Sequence, residues 1–378
     1  MGKTKKIIII GGGIGGAATA LALNRAGFHI SVYERAQELR EVGAGIALWA
    51  NATHVLNELG LLKDAVNLGC LTTNYQFNTQ DGKELVNVSV DKFELPVIGI
   101  HRADLHKLLW SNYPGKFVLG QTFERFEQDG SLVRVYMKSG LQDEGDALIG
   151  ADGLRSQVRA ALFGENPPIY RNFTTWRGLT NYIPKAYIPG YIHEFLGRGK
   201  GFGFMLLGNN RIYWYAAAKA KEGQGDIKEG RKHELEVMFQ DWKDVIPELI
   251  AATDEASIIK TDLYGRVPTR PWAKGNITLL GDAAHPMLPT LGQGACTALE
   301  DALVISKCLQ GECDVVRAFE QYELQRGARV KSIVEQSLRS ARMGELENPI
   351  AVGLRNQFMK LIESVIADSF KTCHSFRA

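Results

Sequence analysis

The sequence predicts an α/β protein: a layer of strand–glycine loop–helix units, an inserted β-sheet-rich domain and C-terminal helices. Three observations predict it. The chain opens with Ile7-Ile8-Ile9-Ile10 running straight into Gly11-Gly12-Gly13-Ile14-Gly15-Gly16. Two later segments, 146–159 and 277–302, repeat the order apolar run, tight turn, helix. Residues 71–100 instead alternate like short strands, and 166–264 hold several more strands followed by a helix.

The first unit carries the strongest signal. Four β-branched residues in a row read as a strand buried on both faces. Gly11, Gly13 and Gly16 form G-x-G-x-x-G, which turns the chain tightly and lets its backbone approach a pyrophosphate. The helix expected from Ala17 to Ala26 aims its N-terminal N–H groups at that anion. A second apolar run, Ile30-Ser31-Val32-Tyr33, ends at Glu34, where a ribose-binding carboxylate belongs. An ordinary glycine-rich turn does not explain that acid, so the unit reads as a dinucleotide site.

The later units refine it. Ala147-Leu148-Ile149-Gly150 is a buried strand, Asp152-Gly153 a turn, and Ser156 and Arg159 lie in the first turns of the next helix. Ile277-Thr278-Leu279-Leu280 delivers Gly281-Asp282, and Gly292-Gln293-Gly294 opens a long helix through Glu300-Asp301. His285 reads as a packed loop residue. Asp152 has two readings, a cap that orients Arg159 or a ligand contact.

Composition bounds the rest. The chain has 378 residues, 45% hydrophobic and 23% charged, with net charge +2, which gives no reason to expect nucleic acid. Five cysteines (70, 296, 308, 313, 373) show no C-x-x-C pair and read as reduced thiols of a cytoplasmic protein. Cys308 and Cys313 have no ligand partners nearby, so no metal is expected. The four isoleucines after Lys5-Lys6 are too few for a signal-peptide core, and no run approaches a membrane span.

The motifs together resemble the single-component (class A) FAD-dependent aromatic monooxygenases of the para-hydroxybenzoate hydroxylase fold. Gly11 to Gly16 match that family's glycine motif, Glu34 its ribose acid, Asp152-Gly153 its DG motif and Gly281-Asp282 its GD motif. Val42-Gly43-Ala44-Gly45-Ile46, Arg102 and Tyr322-Glu323-x-x-Arg326-x-x-Arg329 agree as well. The chain looks nearest to bacterial zeaxanthin epoxidase-like and urate hydroxylase-like members, but Gly201-Phe202-Gly203 stands where a urate-binding Arg is expected.

The resemblance implies a Rossmann-like FAD-binding domain of the glutathione-reductase type from 1–70, 101–165 and 265–340. It implies a substrate domain from 71–100 and 166–264, and a helical segment, 341–378. FAD is expected to bind non-covalently through Gly11, Gly13, Ile14, Gly15, Gly16, Glu34, Arg35, Gly45, Arg102, Asp282, Pro289, Gly292, Gln293 and Gly294. Pro289 is expected beside the reactive edge of the ring, with no other catalytic side chain. NADPH or NADH would contact Asp152 and Arg159. The implied reaction inserts one atom of O2 into an aromatic or polyene small molecule through a flavin C4a-hydroperoxide. The alternative is an FAD-dependent oxidase or reductase without oxygen insertion. A monomer or homodimer is expected, without membrane insertion.

Within the insert, Trp176-Arg177-Gly178-Leu179 is expected to begin the first long strand, and Asn209-Asn210 to turn a hairpin. One helix should present Leu235, Met238, Trp242, Ile246 and Leu249. Trp49, Phe195, Phe202, Phe204, Tyr213, Trp214 and Tyr215 are candidates for an apolar substrate pocket. The C-terminal helices should break near Asn348-Pro349 and pack Leu354, Phe358, Leu361, Val365 and Phe370 on the body. A membrane-surface role is disfavoured because basic residues are few.

Overall fold

The structure, a computed structural model, describes residues 4–38, 44–223 and 229–378. Val42 and Gly43 lie outside the described residues. Lys6–Ile10 sits inside a six-stranded sheet, flanked by Ala147–Gly150 and His29–Tyr33, both parallel to it. Ile7, Ile8 and Ile9 are fully buried, as a strand covered on both faces requires. Ile277–Leu279 extends the sheet in parallel, so three strands end together at the glycine loop, Asp152-Gly153 and Gly281-Asp282.

The first helix spans Ile14–Arg25, starting earlier than expected because Gly15 and Gly16 mask its beginning. The glycines differ in purpose. Gly11 has φ of 108°, and a side chain there would overlap the Ala151 carbonyl. A side chain at Gly16 would overlap the carbonyl of Gly11, and one at Gly15 would press on Leu280 and Ala298. Thus the first helix packs directly on the helix Gly294–Gly311 that contains Ala298.

Residues 71–100 divide between two sheets. Val97–His101 pairs antiparallel with Gly45–Leu48 and with Cys70–Thr72 in a small three-stranded sheet. Asn74–Thr79 and Glu84–Ser89 instead complete a seven-stranded sheet with five strands of the 166–264 segment. Its hairpin turns at Asn209 and Asn210, both with positive φ (60° and 52°), a conformation asparagine tolerates.

Two expectations about this segment change. Trp176–Leu179 lies toward the end of its strand, Ile169–Thr180, which begins seven residues earlier. The single helix is two, Arg231–Phe239 and Val245–Ala251. Pro247 would break a continuous helix, but it fits the first turn of a new one, where its missing N–H costs nothing.

The large sheet buries both faces, and strand alternation sorts the aromatics. Trp176, Phe195, Phe202, Phe204 and Trp214 point outward and form a core with Leu235, Phe239, Trp242, Ile246 and Leu249. Tyr213, Tyr75, Met205 and Ile192 point the other way and join Leu48, Trp49, Cys296 and Leu299. Four of the seven pocket candidates, Phe195, Phe202, Phe204 and Trp214, are therefore outer core. Trp49, Tyr213 and Tyr215 face the other layer.

The chain ends in Val315–Gly344, Pro349–Leu361 and Glu363–His374. Asn348 caps the second, accepting from Ile350 N at 2.9 Å and Ala351 N at 3.3 Å, and Pro349 opens it. Its buried face differs from the one expected. Leu354, Phe358, Leu361 and Val365 are 55–82% exposed, while Arg355 and Met359 are buried. Arg355 donates to the carbonyls of Gly197, Met343 and Leu196, so a charged residue marks the inner face and hydrophobic spacing selects the wrong one. Phe370 alone of the expected set reaches the interior, among Trp49, Tyr75 and Phe77. Among the described residues no helix is long and apolar enough to cross a membrane.

Leu354→Ser is expected to change the free energy of unfolding by less than about 0.5 kcal/mol, as at other exposed positions. Met359→Ala should cost about 2–5 kcal/mol, as for a buried side chain. Urea unfolding of both variants checks the assignment, and equal losses would show that Leu354 is covered.

Candidate functional site

The glycine loop has the features of an anion cradle. Gly13 is the N-cap of the first helix and supplies no side-chain cap, leaving the first-turn N–H groups without that partner. A side chain at Gly13 would meet nothing within 4 Å, so the loop opens onto space at this position. Glu34 stands at its mouth. Its Oε2 accepts from Gly12 N at 2.7 Å and its Oε1 from Ala36 N at 2.9 Å. His106 Nε2 lies 2.5 Å from the Gly12 carbonyl and fixes the loop from behind. Arg35 is exposed next to Glu34.

The second and third motifs meet around one loop. Asp152 caps the helix Gln157–Phe163: Ser156 Oγ donates to it at 2.5 Å, and Gln157 N and Val158 N at 2.7 and 3.2 Å. Burial raises its pKa despite those donors. Buried Arg159 donates to the carbonyls of Ala283 and Ala284, both at 3.1 Å, and to Thr269 Oγ1 at 2.8 Å. Both residues are thus engaged inside the fold, and Arg159 clamps the loop that carries Asp282. Asp282 itself is open to solvent, yet protein rings it closely. That surround pushes its acid above the ordinary value, with His285 and then Arg102 opposing. Arg102 follows the strand Val97–His101, and its N–H donates to Ala44 O at 2.9 Å, beside Gly45. The ring of Tyr213 lies where a side chain on Gly45 would be.

The helix Gly294–Gly311 starts behind the turn Pro289–Leu291. Gly292 adopts φ of 61°, and Gln293 is an N-cap whose side chain makes no capping bond. A side chain at Gly294 would meet nothing within 4 Å. Pro289 is exposed. Gln293 Nε2 and Trp49 Nε1 are buried without an acceptor among the described residues, and Trp49 Nε1 sits 2.9 Å from where a Gly292 side chain would begin. Unpaired buried donors beside an uncapped helix N-terminus suit a carbonyl-bearing, anionic ring.

A buried charge cluster holds this loop. Asp301 Oδ2 accepts from Gly281 N at 3.1 Å and from His285 Nε2 at 2.6 Å, and its Oδ1 from Arg326 Nε at 2.7 Å. Glu300 pairs with Arg326 and with Arg329, and accepts from Asn51 Nδ2 at 2.5 Å. Asn51 also donates to Gln293 Oε1 at 2.8 Å. Burial alone would raise both acids, but His285 and Arg326 hold Asp301 well below the carboxylate range, and Arg326 and Arg329 lower Glu300.

The structure thus gathers Gly45, Arg102 and Asp282 on one side and Gly292 to Gly294 on the other. The glycine loop adjoins them, since Gly15 lies against Leu280 and against Ala298 near the start of the helix Gly294–Gly311. The sequence reading missed Asn51, His106, Tyr75, Glu194, Phe370 and His374. A Glu inside the apolar run Ile192-His193-Glu194-Phe195 was the visible signal for one of them; the others give none alone.

The arrangement defines a class: two uncapped helix N-termini and three acids at the ends of parallel strands, as suits a flavin adenine dinucleotide site. Residues 4–337 match the FAD binding domain family, and the chain belongs to it. It is 38% identical over 370 residues to the aurachin C monooxygenase/isomerase of Stigmatella aurantiaca, covering 96% of each chain. It is 33% identical to the chloroplastic zeaxanthin epoxidase of Solanum lycopersicum, covering 87% of this chain but 53% of that protein. The chain therefore spans about half the length of that relative. Klebsiella pneumoniae HpxO, solved with FAD and uric acid, superposes with a TM-score of 0.91 at 27% identity, covering 98% of this chain and 96% of that one. The protein is an FAD-dependent monooxygenase that uses NAD(P)H and O2 and acts on a small molecule.

Asp301→Asn is expected to destabilise the fold by about 3–5 kcal/mol, because Arg326 and His285 lose a buried charge partner. The depressed carboxylates also set a pH window. Such a group stabilises the fold above its unfolded pKa, about 4 for these acids, and loses that contribution as pH falls through the folded value. Thermal melts at falling pH should show a shallower acid limb for Asp301→Asn than for the wild type.

Proposed function

We propose that the enzyme inserts one oxygen atom into a flat aromatic or polyene small molecule, with FAD held non-covalently at this site. The observation that carries this reading is the pair of uncapped helix N-termini, at Gly13 and at Gln293-Gly294, each opening onto space. Gly11, Gly13, Ile14, Gly15 and Gly16 would cradle the pyrophosphate, and Glu34 and Arg35 would face the adenosine end. Arg102 and Asp282 would hold the middle of the cofactor, and Gly45, Pro289, Gly292, Gln293 and Gly294 its ring. When bound, FAD supplies hydride acceptance and oxygen activation.

The chain's own residues bind, orient and exclude water. The helix at Gly294 places N–H groups against developing negative charge, where a helix N-terminus stabilises an anion. Asp152 would act on NAD(P)H through the helix start it caps, and Arg159 through the loop it clamps. The functional division keeps a cofactor side (1–70, 101–165, 265–340), a substrate side (71–100, 166–264) and the helical 341–378, with Val97–His101 serving the cofactor side. The five free thiols support a cytoplasmic setting, and a monomer or homodimer suffices for this site.

Asp282→Ala and Glu34→Ala should each weaken FAD binding about ten- to a hundredfold, the worth of a charge-assisted hydrogen bond. Fluorescence titration reads this, and unchanged affinity in both variants would misplace the cofactor. Oxygen insertion is tested with ¹⁸O₂. The expected result is one labelled atom in the product of an aromatic or polyene substrate. Hydrogen peroxide as the sole fate of O2 would favour the oxidase alternative.

A further inference from the structure

Glu194 lies on the cofactor-facing side of the seven-stranded sheet, and the proposed function gives it no role. Strand register places Arg177, Tyr215, Gly203, Glu194 and Phe77 in one row across five strands. The Tyr215 ring lies over Gly203, where any side chain would collide with it, and this brings its hydroxyl to Glu194 Oε2. Tyr75 donates to the same oxygen at 3.1 Å. The other oxygen, Oε1, has no donor among the described residues. It lies 3.7 Å from where a side chain on Gly201 would begin, and Gly201 has none. The residue is half-buried, so this oxygen is reachable.

The surroundings are aromatic. Tyr75 stands 4.9 Å from Phe77, 5.2 Å from Phe370 and 5.8 Å from Trp49, ring centre to ring centre. Tyr213, the next inward residue along the strand, adjoins Gly45 on the cofactor side. A carboxyl with two phenols on one oxygen and no donor among the described residues on the other is oriented for a ligand. A purely structural carboxyl at this depth would have both oxygens satisfied.

We propose that Glu194 is a substrate-positioning residue whose Oε1 accepts a hydrogen bond from an O–H or N–H on the edge of a flat aromatic substrate. The inference rests on the oxygen-insertion reading above and narrows its substrate to ring systems with a donor edge. Burial pushes Glu194 up to about 7, with Tyr215 and then Tyr75 opposing. The groups facing it are Tyr75 and Tyr215, both raised well above 10, with Arg177 beyond Tyr215 in the row. Glu194 is thus the member of this set that changes charge near neutrality.

The test uses FAD-loaded protein with 2-naphthol and its methyl ether, which share a ring system and differ in the donor. Binding is followed by the change in flavin absorbance across neutral pH. Wild type should favour 2-naphthol about tenfold or more, and the preference should fade as pH falls through about 7. Glu194→Gln keeps the volume and should lose both the preference and its pH dependence. Tyr215→Phe removes a donor to the carboxylate and should move the midpoint upward. Equal discrimination in wild type and Glu194→Gln, or none in wild type, overturns the proposal. Product label from ¹⁸O₂ scores the parent reading separately. Labelled product without a Glu194 effect overturns the anchor alone, and Glu194-dependent binding with unlabelled product overturns oxygen insertion alone.

Discussion

The architecture of the site hangs on one buried charge cluster. Asp301 and Glu300, adjacent on one helix, meet Arg326 and Arg329 on the next, and all but Arg329 are sealed from water. Such clusters contribute little net stability, because removing ions from water offsets most of their attraction. Their effect here is on position. Asp301 holds the amide of Gly281, and Glu300 reaches Gln293 through Asn51, so a single cluster sets both the GD loop and the start of the cofactor-facing helix. Arg159 clamps the same loop from its other side. The glycine-rich segments are soft alone, and the charges behind them give them one geometry.

The large sheet meets a different constraint. It separates two apolar volumes, one filled by its own helices and one bordering the cofactor layer. Strand alternation lets each side be composed independently. Outward positions carry Trp and Phe packed as a solid core, whereas inward positions set tyrosine hydroxyls, one carboxyl and two glycines among apolar residues such as Ile192 and Met205.

Much of this was legible in sequence because it is local. The isoleucine strand, the glycine spacing, Glu34, Asp282 and the Asn348-Pro349 break each depend on a few consecutive residues. The errors came where the deciding partner lies far away. Which aromatics face the cofactor depends on register, and the pattern Phe202, Phe204 and Trp214 does not state which face is which. Arg355 reads as a surface residue until the carbonyls of Leu196, Gly197 and Met343 come to it. Phe370 and His374 join the site only because the chain's last helix folds back against Trp49.

The two inward glycines of the strand Lys200–Leu207 are not equivalent, and the difference bears on how such an enzyme can diverge. Position 203 is locked, since the Tyr215 ring already fills the space above it. Position 201 is bounded by the Phe195 carbonyl at 3.3 Å and then by the open carboxyl oxygen. A larger residue there would crowd the Glu194 carboxyl and leave the outward core untouched. Selectivity and foldedness are therefore written on opposite sides of the same strand, and a lineage could retune the first with little penalty in the second.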